Sequence, residues 1–498
     1  MNLARAFELA VAKHPQKAAV FWGDTEYSYE KLLTQARWLG HRLHSQCGVH
    51  SGDRVGIWLK NCPEFIPALF GIFLAGGAAV PINNFLKPDE VSHILTDAGI
   101  KVLTTDASMD EALPKLTAAV PQLSFIKVEE LGAAGLAPAS FTPAARSRAD
   151  LAVIIYTSGT TGRPKGAMLT HGNLLHNVES CRQVLQAVDF DRFVLLLPMF
   201  HSFMLCVCIL LPLLVGGSIV LIKSLHPAKN ILQEIIHRQG TVLPAIPQLF
   251  RTLAHTPPPP GLPLRLCVSG AAPLPIETLR EFTRRWPIPL IEGYGLSEAS
   301  PVVSMNPIHG ERKDGSIGLP VPNVEVSVQN DGGQMLAAGE VGEICVRGGN
   351  VMEGYWNQPL ETAKALRAGW LLTGDVGYRD SDGYIFITDR KKDMLLVNGI
   401  NVYPREVEEV IYQFPGIKEA AVVSQLDPRK GEVPVAFVSL DDGVAFDEKA
   451  LSHFIRGKLA DYKVPRRIEV LPALPRNATG KILKTTLREI ARQHRVDG

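Results

Sequence analysis

The sequence has almost no net charge and no cysteine spacing that is typical of a metal site. Lys and Arg number 51 against 50 for Asp and Glu, which leaves a formal charge of +1. Such a balance gives no electrostatic attraction to nucleic acid or to an anionic membrane, so we expect no nucleic-acid partner. The seven cysteines are scattered, and the close pair Cys206 and Cys208 lies in an apolar run. This pattern predicts reduced thiols in the core.

A targeting signal is also missing from the first residues. Met-Asn-Leu-Ala-Arg-Ala lacks the apolar core and the cleavage site of a signal peptide, which predicts a cytoplasmic protein. Residues 193–222 are long and apolar enough for a transmembrane helix, but two prolines and a Gly-Gly pair interrupt them. The interruptions favour a buried strand, a core helix over about residues 203–214 and a second strand. A membrane span stays open as the alternative, and otherwise we expect at most peripheral membrane contact.

Apolar strand patterns alternate with amphipathic helix patterns over most of the 498 residues. This alternation predicts an α/β fold with about three domains or subdomains. Residues 106–150 are rich in Ala and Pro and show little periodicity, which predicts a surface excursion. Between about residues 316 and 390, short alternating strands with glycine turns predict a small β-rich unit.

A charged run at residues 389–393 precedes a last compact α+β pattern. That pattern covers about 105 residues, which is enough for an independent domain. We therefore predict a large N-terminal domain over residues 1–391, built from two α/β layered subdomains and the β-rich unit. A small, mobile α+β domain is predicted over residues 392–498, with a hinge near Lys392. The alternative interpretation of the charged run is a solvated hairpin turn.

The densest motif is a run of glycine and hydroxyl residues that follows a buried strand pattern at residues 151–155. It reads Tyr156-Thr-Ser-Gly-Thr-Thr-Gly-Arg-Pro-Lys-Gly166. Glycines let consecutive N–H groups approach phosphate oxygens, and Lys165 adds a positive charge. The run is not the P-loop of common NTPases, because that motif has Ser or Thr after Gly-Lys. We predict a nucleotide-phosphate loop, with a plain polar turn as the alternative.

Four further segments carry residue types that suit chemistry. They are residues 198–203 with His201, 292–298 with Tyr294 and Glu298, 370–375 with Asp375, and 475–481 with Lys481. Glycines beside Tyr294 allow a planar ligand to approach, Glu298 is a candidate magnesium ligand, and Asp375 suits ribose hydroxyls. Three of them have a structural alternative, which is a satisfied core histidine for His201 and an ordinary turn for the residues at 292–298 and 370–375.

These five motifs, in this order, resemble those of the adenylate-forming superfamily, which contains acyl-CoA synthetases, adenylation domains of peptide synthetases and beetle luciferases. The resemblance covers essentially the whole sequence and is closest to bacterial fatty acyl-CoA synthetases, including the segment 297–304. It implies that ATP, Mg²⁺ and coenzyme A take part. It also implies formation of an acyl-adenylate from a carboxylic acid, followed by transfer of the acyl group to CoA. Departures are minor, since Ser297 stands where many relatives have Thr and Ala167 where Val is common.

The resemblance implies a set of residues that bind the nucleotide and CoA. That set consists of Thr157, Ser158, Gly159, Thr160, Thr161, Gly162, Gly270, Ala271, Ala272, Glu292, Gly293, Tyr294, Gly295, Ser297, Asp375, Arg390, Lys392 and Gly399. Within it, the loop holds the ATP phosphates, the Gly270 motif and Tyr294 enclose the adenine, and Asp375 and Arg390 hold the ribose. Lys392 falls at the hinge, and Gly399 lines the pantetheine tunnel.

Four residues are implied in catalysis, namely Lys481, His201, Lys165 and Glu298. Lys481 would approach the substrate carboxylate and the α-phosphate, and His201 would line the acyl pocket. Thr157 and Glu298 are the implied magnesium contacts. A carboxylate that attacks ATP brings two anions together, so the reaction needs positioning and neutralisation of charge rather than a general base.

The sequence also narrows the substrate. Amino-acid adenylation domains have an aspartate directly after the phenylalanine of the histidine motif, whereas this chain has Phe200-His201-Ser202, so we expect an acid without an α-amino group. The apolar residues 193–214 and 241–250 either line a tunnel for an alkyl chain or form plain core. We predict a medium- to long-chain fatty acid, with an aryl acid as the first alternative. Loading of a carrier protein, a non-catalytic acyl- or nucleotide-binding role and assembly as a homodimer stay open.

Overall fold

The structure is a computed structural model, and it describes residues 1–133, 141–157, 164–224, 229–427, 431–477 and 480–493. The strands of these residues form four sheets. The first sheet has nine strands in the described ranges, parallel in the middle and antiparallel at both edges. In order across the sheet they are Leu319–Pro320, Val302–Met305, Leu290–Gly295, Leu266–Ser269, Val242–Ala245, Arg192–Leu195, Ser218–Leu221, Ala18–Trp22 and Thr25–Ser28.

The second sheet contains seven strands among the residues described. Across the sheet they are Gly354–Tyr355, Lys165–Thr170, Leu151–Thr157, Ala78–Pro81, Arg54–Trp58, Val102–Thr105 and Ser124–Lys127. The strands Leu151–Thr157 and Lys165–Thr170 are antiparallel, so the predicted phosphate loop connects the two strands of a hairpin.

Helices cover these two sheets. They are Leu3–Lys13, Tyr29–Ser45, Phe65–Leu74, Pro88–Asp97, Leu113–Ala119, His171–Leu185, the π-helical Met204–Leu210, Leu211–Val215, Lys229–His237, Pro247–Ala254 and Ile276–Arg285, with 3₁₀ turns at Ala107–Ala112, Val128–Ala133 and Ser297–Ala299. Ser28 caps the helix Tyr29–Ser45, because its side chain accepts a 3.1 Å hydrogen bond from the Lys31 amide. The helix Phe65–Leu74 is buried at every position and packs against Tyr29–Ser45 in a core shared by both sheets.

The predicted β-rich unit and the α+β unit follow. The β-rich unit contains a sheet and the helix Pro359–Ala365. The strands of this sheet are Val324–Gln329, Gly342–Gly348, Leu366–Arg367, Trp370–Arg379 and Ile385–Arg390. The α+β unit contains the strands Leu395–Val397, Ile400–Val402, Ile417–Asp427, Gly431–Leu440 and Arg467–Val470, the helices Pro404–Tyr412, Glu448–Arg456 and Lys484–Gln493, and a 3₁₀ turn at Asp461–Lys463. The α/β class and these units are confirmed, whereas the boundary after residue 391 stays a prediction.

One prediction about an individual segment is wrong, and the alternative interpretation of another segment holds only in part. Residues 106–150 are not only a surface excursion, because the strand Ser124–Lys127 extends the second sheet by parallel pairing with Val102–Thr105. The alternative interpretation of the charged run 389–393, a solvated hairpin turn, fits Lys391 and Lys392, which are exposed, but not Asp389 and Asp393, which are buried.

Residues 193–222 contain the predicted strand, helix and strand, in the form of Arg192–Leu195, a helical segment from Met204 to Val215, and Ser218–Leu221. No helix in the part of the chain that the structure describes is long and apolar enough to cross a membrane.

Parallel pairing in the first sheet brings the predicted motifs together. The strands that end before His201, before Gly270 and at Gly295 all run in one direction. Carboxyl ends of parallel strands meet at the same edge, which is where ligands bind in open α/β sheets. The candidate site therefore lies at this edge.

Candidate active site

The histidine motif and the tyrosine motif touch each other at the edge of the first sheet. The Ser202 hydroxyl lies 3.0 Å from the Ser297 hydroxyl. Gly270 faces the ring of Phe203, and an added Cβ there would lie 3.1 Å from the ring, so this position favours glycine. Ala271 adopts a positive φ of 66°, an uncommon backbone conformation for alanine. Such conformations cost free energy and are concentrated at functional sites.

Tyr294, Asp375 and Arg390 form one hydrogen-bonded group. The Tyr294 hydroxyl donates to Asp375 Oδ2 over 2.6 Å, and Arg390 Nε lies 3.0 Å from Asp375 Oδ1. Asp375 and Arg390 are paired across the neighbouring strands Trp370–Arg379 and Ile385–Arg390 of the β-rich unit. Burial, and then the charge of Asp375, raises the pKa of Tyr294 well above its ordinary value, so its phenol stays a donor. The structure thus joins three predicted nucleotide-binding residues from two different sheets.

Lys481 lies beside this group although it comes from the C-terminal unit. Burial, and then the positive charge of Arg390, lowers its pKa to about 8. The negative charge of Asp375 raises the pKa of Lys481, but by less than burial and Arg390 lower it. The Lys481 amide donates to Asn477 Oδ1 over 2.9 Å, and the adjacent Gly480 approaches Ile246 of the first sheet's layer so closely that an added Cβ would lie 2.6 Å from it. The C-terminal loop is therefore docked into the predicted nucleotide site.

Lys165 and Glu298 are brought together by residues that the sequence analysis missed. The Lys165 ammonium forms an ion pair with Glu361 and lies 5.2 Å from the centre of the Tyr355 ring. The Tyr355 hydroxyl donates to Glu298 Oε1 over 2.8 Å. Lys165, and then Lys364, lowers the pKa of the Glu361 carboxyl to about 2. The signal that could have indicated Tyr355 is its place in Gly-Tyr-Trp, an aromatic pair directly after a glycine.

Magnesium is bound in nucleotide sites by one or two carboxylates together with substrate phosphates. Glu298 supplies a carboxylate, and its Oε1 accepts the hydrogen bond from the Tyr355 hydroxyl. Thr157 Oγ1 donates a long 3.4 Å hydrogen bond to the Lys165 carbonyl, so its oxygen lone pairs remain for a metal. Among the described residues there is no group of three or more His, Cys, Asp or Glu side chains that could hold a metal by itself. This oxygen donor set fits a magnesium ion, whose coordination the phosphates of a bound nucleotide would complete.

His201 is a half-buried neutral histidine. Burial lowers its pKa to about 4, and its Nδ1 accepts a 3.3 Å hydrogen bond from the Phe203 amide. The ring therefore carries its proton on Nε2 at neutral pH. The side chain can therefore donate a hydrogen bond from Nε2 but carries no charge at neutral pH.

Glu292 points into the protein. Its Oε1 accepts a 3.0 Å hydrogen bond from the Leu274 amide, and burial raises its pKa to about 7 against the opposing charge of Arg405. The neighbouring Gly293 lies in the same strand with Met305 close by, and Gly295 packs against the Pro301 carbonyl. Gly293 and Gly295 thus leave room for backbone packing next to Tyr294.

The residues around the predicted hinge are tied to the C-terminal unit on both sides of Lys392. Asp389 Oδ2 accepts from the Arg405 amide over 2.9 Å, and Asp393 pairs with Arg488 at 2.5 Å. Lys392 itself is exposed between them.

Gly399 lies in a tight hairpin turn in which Asn398 and Gly399 both have positive φ. An added Cβ at Gly399 meets nothing within 4 Å, so the structure does not bring Gly399 together with Lys481. Ser158, Gly159, Thr160, Thr161 and Gly162 lie outside the described residues.

The C-terminal unit also contacts the first sheet's helices directly. Arg251 pairs with Asp441 at 2.6 Å, and Glu409 accepts a 3.4 Å hydrogen bond from the Ile276 amide. These contacts, together with the docked Lys481 loop, fix one arrangement of the two parts of the chain.

Known protein families and known proteins match this chain over nearly its whole length. The AMP-binding enzyme family matches residues 7–356, and the AMP-binding enzyme C-terminal domain matches residues 406–481. A long-chain-fatty-acid–CoA ligase of Bacillus subtilis is 36% identical over 96% of this chain and 93% of its own length. A feruloyl-CoA synthase of an Amycolatopsis species is 37% identical over 95% of this chain and 96% of its own.

A solved structure matches closely in shape. ATP-bound MatB from Rhodopseudomonas palustris has a TM-score of 0.92 and 32% identity, with 99% of both chains covered. The apo form of the same protein has a TM-score of 0.80 over the same coverage.

Proposed function

The chain belongs to the AMP-binding enzyme family and is an acid–thiol ligase of the acyl-CoA synthetase class, and on that premise we propose that its acid is a medium- to long-chain fatty acid. It converts this acid with ATP to an acyl-adenylate and then transfers the acyl group to CoA. The observation that supports this choice of acid is the apolar character of the segment that follows His201 in the sequence. All seven residues of Met204–Leu210 are apolar and buried, and they adopt π-helical geometry, which is rare and is frequently found at functional sites.

The side chains around His201 also disfavour an amino acid. Ser202 stands next to His201, and its hydroxyl is engaged with Ser297. Phe200 and Phe203 are buried on either side of this pair, and neither carries a negative charge that could bind an α-ammonium group. An uncharged alkyl chain is compatible with such surroundings, because burial of apolar surface stabilises the complex by about 25 cal/mol per Å².

In the first half-reaction the substrate carboxylate attacks the α-phosphorus of ATP. A carboxylate oxygen forms the new bond to the α-phosphorus. The bond from the α-phosphorus to the oxygen that bridges it to the β-phosphorus breaks, and pyrophosphate leaves. Lys481 neutralises the charge between the carboxylate and the α-phosphate, and Lys165 that of the leaving pyrophosphate. Asp375 and Arg390 orient the ribose, and Tyr294 packs on the adenine. Magnesium, when bound at Glu298 and Thr157, supplies further neutralisation of the phosphates.

In the second half-reaction the CoA sulfur attacks the acyl carbon. A C–S bond forms, the bond between the acyl carbon and the phosphate oxygen breaks, AMP leaves, and the thiol proton passes to solvent. We assign the present arrangement to the first half-reaction. It is supported by the docked Lys481 and by the closer similarity to ATP-bound than to apo MatB. Gly399, which is exposed here, is assigned to the second.

The second candidate substrate is an aryl acid. It is favoured by the feruloyl-CoA synthase relative, whose identity of 37% is as high as that of the fatty-acid ligase. Family membership therefore does not choose between the two classes of acid.

Pyrophosphate release from ATP tests the proposal directly. Medium- and long-chain fatty acids, coumarate, ferulate and benzoate are compared, each with and without CoA, and acyl-CoA is quantified by mass spectrometry. The proposal expects the highest kcat/KM for a fatty acid and one acyl-CoA formed per pyrophosphate. A higher kcat/KM for an aryl acid would overturn the fatty-acid assignment, and pyrophosphate release without any thioester would indicate a different acyl acceptor. The Lys481→Ala variant supplies the background of uncatalysed and contaminating hydrolysis.

A further inference from the structure

Tyr355 contacts both of the residues that are assigned to the phosphates. Its hydroxyl donates to Glu298 Oε1 over 2.8 Å, and the Lys165 ammonium lies 5.2 Å from the centre of its ring. A cation over the face of an aromatic ring is attracted by the ring's quadrupole. The Tyr355 side chain thus contacts the Lys165 ammonium through the face of its ring and the Glu298 carboxylate through its hydroxyl. The three residues lie far apart in the sequence.

The backbone fixes Tyr355 to the strand that carries Lys165. Gly354 and Tyr355 pair with Met168 and Ala167 in the second sheet. The Tyr355 amide donates to Thr362 Oγ1 over 2.8 Å. The ring and Lys165 therefore belong to one rigid piece of sheet.

The next residue fixes the same piece from its other side. The Trp356 amide donates to the Gly166 carbonyl over 2.7 Å, and the Trp356 indole N–H donates to the Asp97 carbonyl over 3.0 Å. Rotation of the Tyr355 backbone would break both hydrogen bonds. They therefore fix the position of the Cα atom from which the Tyr355 ring extends.

Glu298 is held by the same stretch of chain. It lies in the short 3₁₀ turn Ser297–Ala299, and its carbonyl accepts a 2.9 Å hydrogen bond from the Met352 amide. The side-chain bond from Tyr355 adds a second attachment. Burial, and then the charge of Glu298, raises the pKa of Tyr355, so its hydroxyl stays a hydrogen-bond donor.

We propose that Tyr355 is a positioning residue that sets Glu298 and Lys165 at the distance and orientation that a magnesium-bound triphosphate requires. The hydroxyl occupies Oε1 of Glu298 and turns Oε2 toward the metal, while the ring keeps the Lys165 ammonium beside it. Partners that orient a metal-binding carboxylate typically change metal affinity by about 10- to 100-fold when they are removed. This inference rests on the proposed assignment of Glu298 and Lys165 to the phosphates, but not on the identity of the acid.

The Tyr355→Phe variant tests the hydroxyl alone, because it keeps the ring. ATP binding is measured by isothermal titration calorimetry over a series of Mg²⁺ concentrations and in EDTA, with no acid present. We expect the Mg²⁺ concentration for half-maximal enhancement of ATP binding to rise about tenfold, and ATP binding in EDTA to stay unchanged. An unchanged Mg²⁺ requirement overturns the proposal. An equal loss of ATP affinity with and without Mg²⁺ also overturns it, because that result indicates a purely structural role.

Tyr27→Phe is the matched control. Its hydroxyl also donates to a glutamate, Glu64 Oε1, over 3.2 Å, but in the N-terminal strand pair. This variant should lose similar thermal stability and keep the wild-type Mg²⁺ requirement.

A double-mutant cycle keeps the test valid if Tyr355→Phe destabilises the fold. When Tyr355 acts through Glu298, the phenylalanine substitution has no further effect on the Mg²⁺ requirement in a Glu298→Gln background. Additive effects of the two substitutions would contradict the proposal. Because calorimetry needs only ATP, these outcomes are independent of whether a fatty or an aryl acid proves to be the substrate.

Discussion

The Tyr294 hydroxyl donates a 2.6 Å hydrogen bond to the buried carboxylate of Asp375. Tyr294 lies at the end of a strand in the large parallel sheet, and Asp375 lies in the β-rich unit. The bond therefore joins two separate layers at the point where the nucleotide is proposed to bind. Arg390 extends the group through its 3.0 Å contact with the same carboxylate.

The first prediction concerns Asp375. In Asp375→Asn the Tyr294 bond can persist, but Arg390 loses its ionic partner and the ribose loses a charged acceptor. Hydrogen bonds to charged groups are worth about 1.5–3 kcal/mol, so we expect ATP affinity to fall roughly 10- to 100-fold in calorimetric titration. Asp331→Asn is the control, because its ion pair with Lys391 is at the surface and such pairs contribute little. Wild-type affinity in Asp375→Asn would remove Asp375 from the site.

The second prediction concerns the stability of the protein and Glu292. The folded protein raises the pKa of this carboxyl to about 7, mainly by burial, so the folded state binds its proton more tightly than the unfolded state does. The contribution of Glu292 to stability is therefore highest at low pH and falls as the pH rises toward about 7. Glu292→Gln stays neutral and can still accept the hydrogen bond from the Leu274 amide.

We expect the thermal midpoint of Glu292→Gln to exceed that of the wild type by about 2–4 °C at alkaline pH and to equal it in mildly acidic buffer. Differential scanning calorimetry measures both. The exposed Glu325→Gln should show no such pH dependence. A midpoint difference that is constant with pH would show that Glu292 is ionised in the folded protein throughout.

The third prediction is a pH profile. Burial beside Arg390 lowers the pKa of Lys481 to about 8, so its positive charge is lost as the pH rises through that value. The kcat/KM for ATP in pyrophosphate exchange should therefore decline above about pH 8, because kcat/KM reports ionisations of the free enzyme.

An arginine keeps its charge over this range, so Lys481→Arg should be slower than the wild type but free of the alkaline decline. Lys391→Arg, at the exposed position that follows Arg390 in the sequence, should retain the alkaline decline. If the decline persists in Lys481→Arg, another group is responsible for it.

The fourth prediction concerns the hinge. Proline fixes φ near −65°, so Lys392→Pro should hinder rotation of the C-terminal unit without disturbing the docked arrangement. Pyrophosphate exchange should remain close to wild type, while thioester formation from supplied acyl-adenylate should fall by at least about tenfold. Lys392→Ala keeps the backbone free and should leave both half-reactions intact. Normal thioester formation in the proline variant would place the hinge elsewhere.

Local patterns predicted most elements of the fold because their signals are short-range. Ser28 caps its helix through its own side chain, and the buried strand predicted at residues 151–155 is present as Leu151–Thr157. The strand Ser124–Lys127 was missed, since its place in the sheet depends on pairing with Val102–Thr105 and not on its own Ala- and Pro-rich surroundings. Likewise, the burial of Asp389 depends on the Arg405 amide of a later helix.

The same distinction applies to the site. The sequence motifs named Tyr294, Asp375 and Lys481, and the structure places them together. Tyr355 and Glu361 escaped notice, because their importance comes from contacts with Lys165, about 190 residues earlier in the chain. No local period or spacing records such a contact.

The central claim is that Lys481 serves the first half-reaction at the Tyr294–Asp375–Arg390 group. The most direct measurement compares Lys481→Ala with the wild type in two assays, which are pyrophosphate exchange with the best acid and thioester formation from supplied acyl-adenylate and CoA. We predict a loss of about 10²–10³ or more in exchange, as for removal of one charge-stabilising donor, with thioester formation close to wild type. An equal loss in both assays would contradict the account.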